Sequence, residues 1–262
     1  MQNKPIIEID SLNYIANKKT IIKNISFDIY EKDFVSIVGP NGSGKSTLIR
    51  LISGDLEPIS GNINIMGKDK SDWNIFDLAK YRAVLPQFNH LSFPFSVLDV
   101  VKMGRYPLRH KDNSKEENKI YEKLFDIFDL NGVSNQIYTT LSGGEKQRVQ
   151  LARVISQIWS TSSYKNKILI LDEPTSYLDI KHQMSLFKFL KSLNERGLTI
   201  MMVVHDINQA ILNTQKIILL KHAELIAYGE NEKIINNELL SKVFDVPFNL
   251  ENLKKRIKFS EI

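Results

Sequence analysis

The chain of 262 residues contains no cysteine. This absence excludes disulfide bonds and metal sites with thiolate ligands. The five histidines do not indicate a metal site either, because they are scattered along the chain rather than paired at the spacing of metal ligands. Nothing in this pattern indicates a secreted fold.

Long apolar runs are also absent. No stretch approaches the roughly 18 residues that a membrane-spanning helix needs. Residues 1–14 carry acidic side chains where a signal peptide has its apolar core. We therefore expect the protein to remain in the cytosol.

The overall composition is that of a globular protein, with 42% hydrophobic and 25% charged residues. This length predicts one large domain with a subdomain. The formal net charge of +5 suits nucleic acid, a phosphate ligand or an anionic membrane surface. The lysines that produce it are dispersed, which favours a solvated surface.

Short apolar segments alternate with helix-length stretches along most of the chain. Residues 6–9 and 20–29 indicate a pair of strands, and Phe34–Val38 is a compact strand that runs into a glycine-rich loop and a helix starting near Lys45. Further buried-type strands are predicted at 82–85, 168–171, 198–204 and 216–220, with a helix over 180–196. This order is typical of an α/β fold with a parallel sheet.

The segment from Pro86 to Leu141 differs and indicates a helical insertion. Helical periodicity appears at Val97–Met103 and over 115–130. In the second helix one face is predicted to contain Ile120, Leu124, Ile127 and Phe128. Residues 110–118 are predicted to form a solvated connector and helix start, and 231–262 to form short helices with a frayed basic end at 254–256.

The strongest local motif is a phosphate-binding loop of the pattern GxxxxGK[ST], placed after a strand and before a helix. Its residues are Gly39, Pro40, Asn41, Gly42, Ser43, Gly44, Lys45, Ser46 and Thr47. The glycines let backbone N–H groups point at phosphate oxygens, and the helix N-terminus adds partial positive charge. Lys45 is predicted to contact the β and γ phosphates of ATP, and Ser46 to bind Mg²⁺.

Two carboxylates, Asp172 and Glu173, follow the apolar strand at 168–171. Burial of that strand leaves both acids at its carboxyl end, where ligands bind in α/β folds. Asp172 is predicted to hold the Mg²⁺ shell, and Glu173 to orient or deprotonate the water that attacks the γ-phosphate. A solvated turn is the alternative for these acids, and the neighbouring phosphate loop disfavours it.

Three further polar residues are weaker candidates when taken singly. Gln87 follows a strand and a proline, where its amide can reach the metal or the attacking water, but it is otherwise a polar loop residue. His205 follows a strand and can contact the γ-phosphate, with a structural histidine as the alternative. Tyr14 is predicted in a turn between the first two strands, where it stacks on adenine or packs in the core.

Leu141, Ser142, Gly143, Gly144 and Glu145 form a second glycine turn before a helix. The segment resembles the LSGGQ signature of ABC ATPases, from which it departs only by Glu145 in place of glutamine. A glycine turn at a helix N-terminus predicts a second anion site on a chain that has one phosphate loop.

The resemblance spans about residues 6–230 and implies a head-to-tail homodimer with two ATP molecules between the subunits. Ser142 and Gly144 of one subunit are expected to close on the γ-phosphate held by Lys45 of the other. The residues that match family motifs are Tyr14 in the adenine-stacking loop, Gln87 in the Q-loop as catalytic and metal-binding residue, Ser142, Gly143, Gly144 and Glu145 in the signature, Ser176 to Asp179 in the D-loop, Glu173 as general base and His205 as the switch histidine.

The resemblance also implies an architecture and partners. We expect a P-loop, RecA-like ATPase core with an N-terminal antiparallel β subdomain over 1–86 and 142–230, a helical subdomain over 87–141 and a C-terminal extension over 231–262. Such a subunit is peripheral at the cytoplasmic face of the membrane, beneath two membrane-spanning permease subunits. A substrate-binding protein is an indirect partner, and nucleic acid is not expected to be one.

The cargo is indicated only by resemblance. Residues 93–97 and 100–107 resemble the surface after the Q-loop that receives the permease coupling helix in importers of hemin, iron-siderophores and cobalamin. The helix at 149–159 and the polar spacer at 160–166 look most like hemin importers, whereas 177–183 are closer to the siderophore type. Hemin is favoured, with siderophore or cobalamin as alternatives. A soluble ABC ATPase acting on nucleic acid or ribosomes is disfavoured, because the chain has no second nucleotide domain and no long coiled-coil insertion.

Overall fold

The computed structural model describes residues 4–87, 91–108 and 114–249. The strands are β1 (Ile7–Ala16), β2 (Lys19–Ile29), β3 (Phe34–Val38), β4 (Ser60–Ile65), β5 (Lys68–Asp69), β6 (Arg82–Leu85), β7 (Ile168–Asp172), β8 (Thr199–Val203), β9 (Lys216–Lys221) and β10 (Glu224–Glu230). The helices are α1 (Lys45–Ser53), α2 (Ile75–Leu78), α3 (Val97–Met103), α4 (Ser114–Ile127), α5 (Gly143–Ile158), α6 (Ile180–Glu195), α7 (Ile207–Asn213), α8 (Asn231–Ile234) and α9 (Asn237–Phe244).

A six-stranded sheet forms the centre of the fold, in the order β10-β9-β3-β8-β7-β6. Its strands run parallel except β10, which pairs antiparallel with β9 at one edge. Every residue of β3, β7 and β8 is buried. This burial explains why these strands are continuous apolar runs, and it confirms the predicted parallel sheet.

A second, antiparallel sheet has the order β2-β1-β4-β5. Its first strand extends to Ala16, and the turn into β2 lies at Asn17 and Lys18, both with positive φ. The prediction that Tyr14 lies in this turn is therefore wrong, since Tyr14 is within β1 and pairs with Ile22. Asparagine tolerates the left-handed conformation that a tight turn requires, which places the turn after Tyr14.

Two apolar cores cover the two faces of the parallel sheet. In β3, Val35 and Ile37 belong to the core shared with the antiparallel sheet and α1. Phe34 and Val38 belong to the opposite core, which packs against the long helices α5 and α6. Each such buried side chain contributes about 1.5–3 kcal/mol to folding. The carboxyl ends of the parallel strands are therefore held by packing on both faces of the sheet.

The helix α4 begins at Ser114 and packs on α5 through a buried stripe. The predicted stripe is partly wrong, because Ile127 is 37% exposed whereas Tyr121 and Phe125 are buried together with Ile120. The buried positions form two adjacent rows with a spacing of four residues, at 120, 124 and 128 and at 121 and 125, so Ile127 lies at the margin of the buried face. Residues 110–113 of the predicted connector at 110–118 lie outside the described residues.

Short helices α8 and α9 follow Asn231, as predicted for the C-terminal segment. Residues 250–262, including the basic triplet at 254–256, lie outside the described part of the chain. Among the described residues, none of the helices is both long and apolar enough to cross a membrane.

Candidate active site

The phosphate loop connects β3 to α1 and leaves the first turn of α1 without a side-chain cap. Gly44 is the N-cap residue, with φ of 106°. A Cβ at this position would lie 2.6 Å from the carbonyl oxygen of Ile21, so neither the backbone conformation nor the available space accepts another residue. The N-terminal amides of α1 are thus available to an anion.

Lys45 is buried within this loop. Its Nζ donates to the carbonyl oxygens of Gly39 at 2.9 Å and Pro40 at 3.0 Å. Burial lowers the pKa of Lys45, and the nearby carboxylates of Glu173 and Asp172 partly oppose that effect. The ammonium group is therefore positioned by the loop itself and lies in the field of the two acids.

Asp172 is the last residue of β7, and its side chain is buried. Its Oδ1 accepts a 3.3 Å hydrogen bond from Ser46 Oγ on α1. Burial raises the pKa of Asp172 to about 6, with the bond from Ser46 acting in the opposite direction. A carboxylate and a hydroxyl are hard oxygen donors of the kind that Mg²⁺ prefers, so the residues present fit this ion.

Glu173 directly follows Asp172 but has a different environment. Its Oε1 lies 2.6 Å from Nε2 of His205, and its Oε2 accepts a 3.4 Å bond from Ser176 Oγ. The backbone of Glu173 has φ of 53°, a left-handed conformation that is strained for a residue with a side chain. Both carboxylate oxygens are thus held in place, one by His205 and the other by Ser176.

A cavity of about 590 Å³ joins these elements at the carboxyl ends of the parallel strands. Its lining residues are Lys19, Ile21, Asn41, Gly42, Gly44, Lys45, Ser46, Thr47, Gln87, Glu173 and His205. The structure therefore brings the phosphate loop together with Gln87, Glu173 and His205. The sequence offered no signal for Lys19 and Ile21, which reach the cavity only because β2 passes beside the loop.

Several other predicted site residues lie outside the cavity lining. Tyr14 is half-buried against the core between the sheets. Ser43, although part of the phosphate loop, is buried. The carbonyls of Gly39 and Pro40 contact Lys45 instead of the cavity.

The signature segment lies at the N-terminus of α5 and forms a reciprocal capping box. Ser142 Oγ accepts from the Glu145 N–H at 3.3 Å, while the Glu145 carboxylate accepts from the Ser142 N–H at 2.8 Å and from its hydroxyl at 2.6 Å. These bonds from Ser142 hold the pKa of Glu145 below its ordinary value. The predicted second anion site thus has a carboxylate of its own chain at its centre.

The signature also contacts the segment that follows Glu173. A Cβ on Gly144 would lie 2.9 Å from the carbonyl oxygen of Tyr177. Asp179 caps α6 by accepting from the His182 N–H at 2.8 Å. None of the residues 142–145 lines the cavity, and neither does Asp179. Within one chain, the signature and the phosphate loop are therefore separate sites.

A parallel sheet with a phosphate loop after one strand (β3), and a carboxylate pair after another strand (β7) that is separated from it by one strand, defines the class of P-loop nucleoside triphosphatases. Within that class, the model of the family described as ABC transporter matches residues 22–176. The chain belongs to the ABC transporter family.

Known relatives match nearly the whole chain. The hemin import ATP-binding protein HmuV of Escherichia coli O157:H7 is 38% identical over 240 residues, which cover 91% of this chain and 92% of that protein. The protein of the same name from Rhodopseudomonas palustris (strain HaA2) is 34% identical over 246 residues, 94% of this chain and 92% of that protein. Among solved structures, the dimeric ATP-binding cassette MJ0796 bound to ADP and Pi in a post-hydrolysis state has a TM-score of 0.72 and 29% identity, covering 86% of this chain and 98% of that chain.

Proposed function

We propose that this chain binds and hydrolyses ATP to energise an ABC importer whose cargo is hemin. The observation that carries the ATPase assignment is the single cavity in which Lys45 of the phosphate loop faces the pair of Glu173 and His205. The cargo assignment is supported by the relatives named for hemin import, which cover more than nine-tenths of the chain.

The triphosphate of ATP binds at the loop, where α1 presents its N-terminal amides and Lys45 a positive charge. Ser46 and Asp172 hold Mg²⁺, with the amide of Gln87 as a further oxygen donor from the cavity wall. When bound, this ion neutralises charge on the phosphate oxygens. The buried carboxylate of Asp172 fits that role because burial destabilises its charge until a cation pairs with it.

Glu173 acts as the general base in this proposal. It accepts a proton from the water whose oxygen bonds to the γ-phosphorus, while the bond from that phosphorus to ADP breaks. His205 Nε2 lies 2.6 Å from Glu173 Oε1, so His205 orients this carboxylate. The ring of His205 is half-exposed, which lets it contact the γ-phosphate as well. Tyr14, which is partly buried in β1, supplies the stacking surface for adenine.

The active unit is a head-to-tail homodimer. Because residues 142–145 lie outside the cavity of their own chain, they are free to close on the γ-phosphate of a second copy. Asp179 and the D-loop belong to the same interface. The dimer of the related cassette supports this arrangement, since that cassette is described in a dimeric, nucleotide-bound state.

The dimer works at the cytoplasmic face of the membrane beneath two permease subunits, with a substrate-binding protein as an indirect partner. Closure on ATP moves the helical subdomain at 87–141, with its docked permease helices, relative to the core at 1–86 and 142–230. Hydrolysis and release of phosphate reopen the dimer. The extension at 231–249 packs on the core through Leu240 and Val243.

Reconstitution tests both parts of the proposal. The purified chain is expected to hydrolyse ATP with Mg²⁺, and in vesicles with its permease and a heme-binding protein it should drive hemin uptake. Uptake of a ferric siderophore or cobalamin but not hemin would overturn the cargo assignment. Tight, salt-dependent binding to nucleic acid without any association with a permease would instead favour a soluble ABC ATPase.

A further inference from the structure

Glutamine side chains hold the segment that follows Glu173, and two of them, on α6 and α7, are connected to each other. Gln183, on α6, donates from Nε2 to the carbonyl oxygens of Leu178 at 2.9 Å and Thr175 at 3.4 Å. Both partners lie in the connection from β7 to α6, so a single amide fixes the path of this connection at two points. The connection includes the D-loop residues.

The second glutamine closes these contacts into a ring. Gln209, on α7, donates from Nε2 to Gln183 Oε1 at 2.9 Å. Thr175 Oγ1 in turn donates to Gln209 Oε1 at 3.4 Å. Three residues from α6, α7 and the β7–α6 connection therefore form one closed hydrogen-bonded ring, which the backbone carbonyl of Thr175 completes. Each amide in it uses both its oxygen and its nitrogen.

The ring joins the two backbone segments that carry the catalytic pair. Glu173 lies two residues before Thr175, and His205 lies four residues before Gln209. Their side chains meet at 2.6 Å, although the backbone of Glu173 is in a strained, left-handed conformation. Such a conformation persists only where the surrounding structure holds it, and the ring lies directly beside it.

We infer that Gln183 and Gln209 are positioning residues that hold Glu173 and His205 in register for hydrolysis, an inference that rests on the proposed ATPase function. Neither glutamine lines the nucleotide cavity. Their loss should therefore slow turnover without weakening ATP binding, because misplacing a catalytic group by about 1 Å costs up to about a hundredfold in rate.

The orientation of the Gln183 amide is determined by its partners, since the two backbone carbonyls can only accept. Gln183→Glu keeps the shape of the side chain but puts an oxygen opposite those carbonyl oxygens. We expect kcat for ATP hydrolysis to fall about tenfold or more, with KM and the affinity for a fluorescent ATP analogue within about twofold of wild type.

The chain offers a matched control in Gln157. Its Nε2 also donates to two backbone carbonyls, those of Ala79 at 2.8 Å and Arg82 at 2.9 Å, at the opposite end of the parallel sheet. Gln157→Glu creates the same local repulsion away from the cavity. If it lowers the melting temperature as much as Gln183→Glu while kcat stays within about twofold of wild type, the loss in Gln183→Glu is due to positioning. An equal loss of kcat in both variants, or wild-type turnover in Gln183→Glu, would overturn the inference.

Gln183→Met and Gln209→Met provide a second test in case the charged variant does not fold. Because the ring acts as a unit, the double variant should lose little more kcat than either single variant. Multiplied losses in the double variant would contradict the ring. If wild-type protein itself fails to hydrolyse ATP, the proposed function is wrong, which separates that failure from failure of the inference.

Discussion

Asp172 and Glu173 are neighbours in sequence, yet their carboxyl groups lie in different surroundings. Asp172 is buried beside Ser46, and its pKa is raised to about 6 by that burial. Glu173 meets the half-exposed ring of His205 at the cavity. The two carboxylates thus have different hydrogen-bond partners although their residues are adjacent. One carboxylate is thus placed to pair with a cation and the other to accept a proton.

Glu173→Gln is expected to retain ATP binding and to lower kcat by about a hundredfold or more, because an amide cannot accept the proton from the attacking water. Equilibrium binding of ATP and single-turnover hydrolysis measure the two effects separately. Lys45→Ala provides the contrast, since it removes the charge that holds the phosphates and should abolish binding itself. Full turnover in Glu173→Gln would show that another group is the base.

At the level of elements, the helix N-termini of the phosphate loop and of the signature differ in their capping. Gly44 leaves the first turn of α1 without a side-chain cap, so its amides can bind phosphate. The first turn of α5 is capped by Ser142 and Glu145 of the same chain. The Glu145 carboxylate stabilises this helix end, but it also places a negative charge where the proposed dimer brings the γ-phosphate of ATP.

Glu145→Gln should therefore strengthen ATP-dependent dimerisation, lowering the ATP concentration at its midpoint about twofold to fivefold. Analytical ultracentrifugation in the Glu173→Gln background measures this shift. An unchanged or higher midpoint would indicate that the carboxylate does not face the nucleotide of a partner chain.

The effect of Glu145→Gln on the free energy of unfolding is expected to depend on pH. Hydrogen bonds from Ser142 lower the pKa of Glu145 in the folded state below its ordinary value of 4.5. Above the unfolded-state pKa of 4.5, the ionised carboxylate therefore stabilises the fold. This stabilisation is lost as the pH falls through the lower pKa of the folded state. The unfolding free energy of wild type should exceed that of Glu145→Gln near neutral pH and approach it in acid, as denaturant titrations at several pH values would reveal.

At the scale of the whole molecule, large apolar side chains are exposed after the Q-loop. Phe93 is 69% exposed and Tyr106 is 58% exposed. Both belong to the stretches for which the sequence predicts docking of the permease. Exposed aromatic side chains of this kind commonly carry much of the binding energy of an interface.

Joint replacement of Phe93 and Tyr106 by alanine is expected to uncouple transport from hydrolysis. Each lost anchor costs about 2 kcal/mol of docking energy, or about thirtyfold in affinity. Hemin uptake by reconstituted vesicles should therefore fall, while the ATPase activity of the isolated chain stays at the wild-type level. Ile59→Ala is a matched control, because Ile59 is 61% exposed but lies immediately before β4. Equal uptake by the double variant and the control would contradict this docking surface.

Much of the fold was predictable because its signals are local. The apolar runs of β3, β7 and β8 follow from burial on both sides, and the loop from Gly39 to Thr47 follows from the spacing of its glycines and Lys45 between a strand and a helix. The error at Tyr14 has a local cause as well, since Asn17 and Lys18 form the turn that was predicted too early. Ile127 was misplaced because helical periodicity alone does not specify toward which side the buried face of α4 is centred, and that face includes Tyr121 and Phe125.

The sequence by itself determined the chemistry of the site, because each motif carries its residue types at fixed spacing within one short segment. Only the tertiary structure decided which segments meet. Parallel pairing of β7 and β8 places Glu173 beside His205, although 31 intervening residues separate them in the chain. The ring of Thr175, Gln183 and Gln209 depends on the same packing, and its hydrogen bonds leave no pattern in the sequence because each residue comes from a different element.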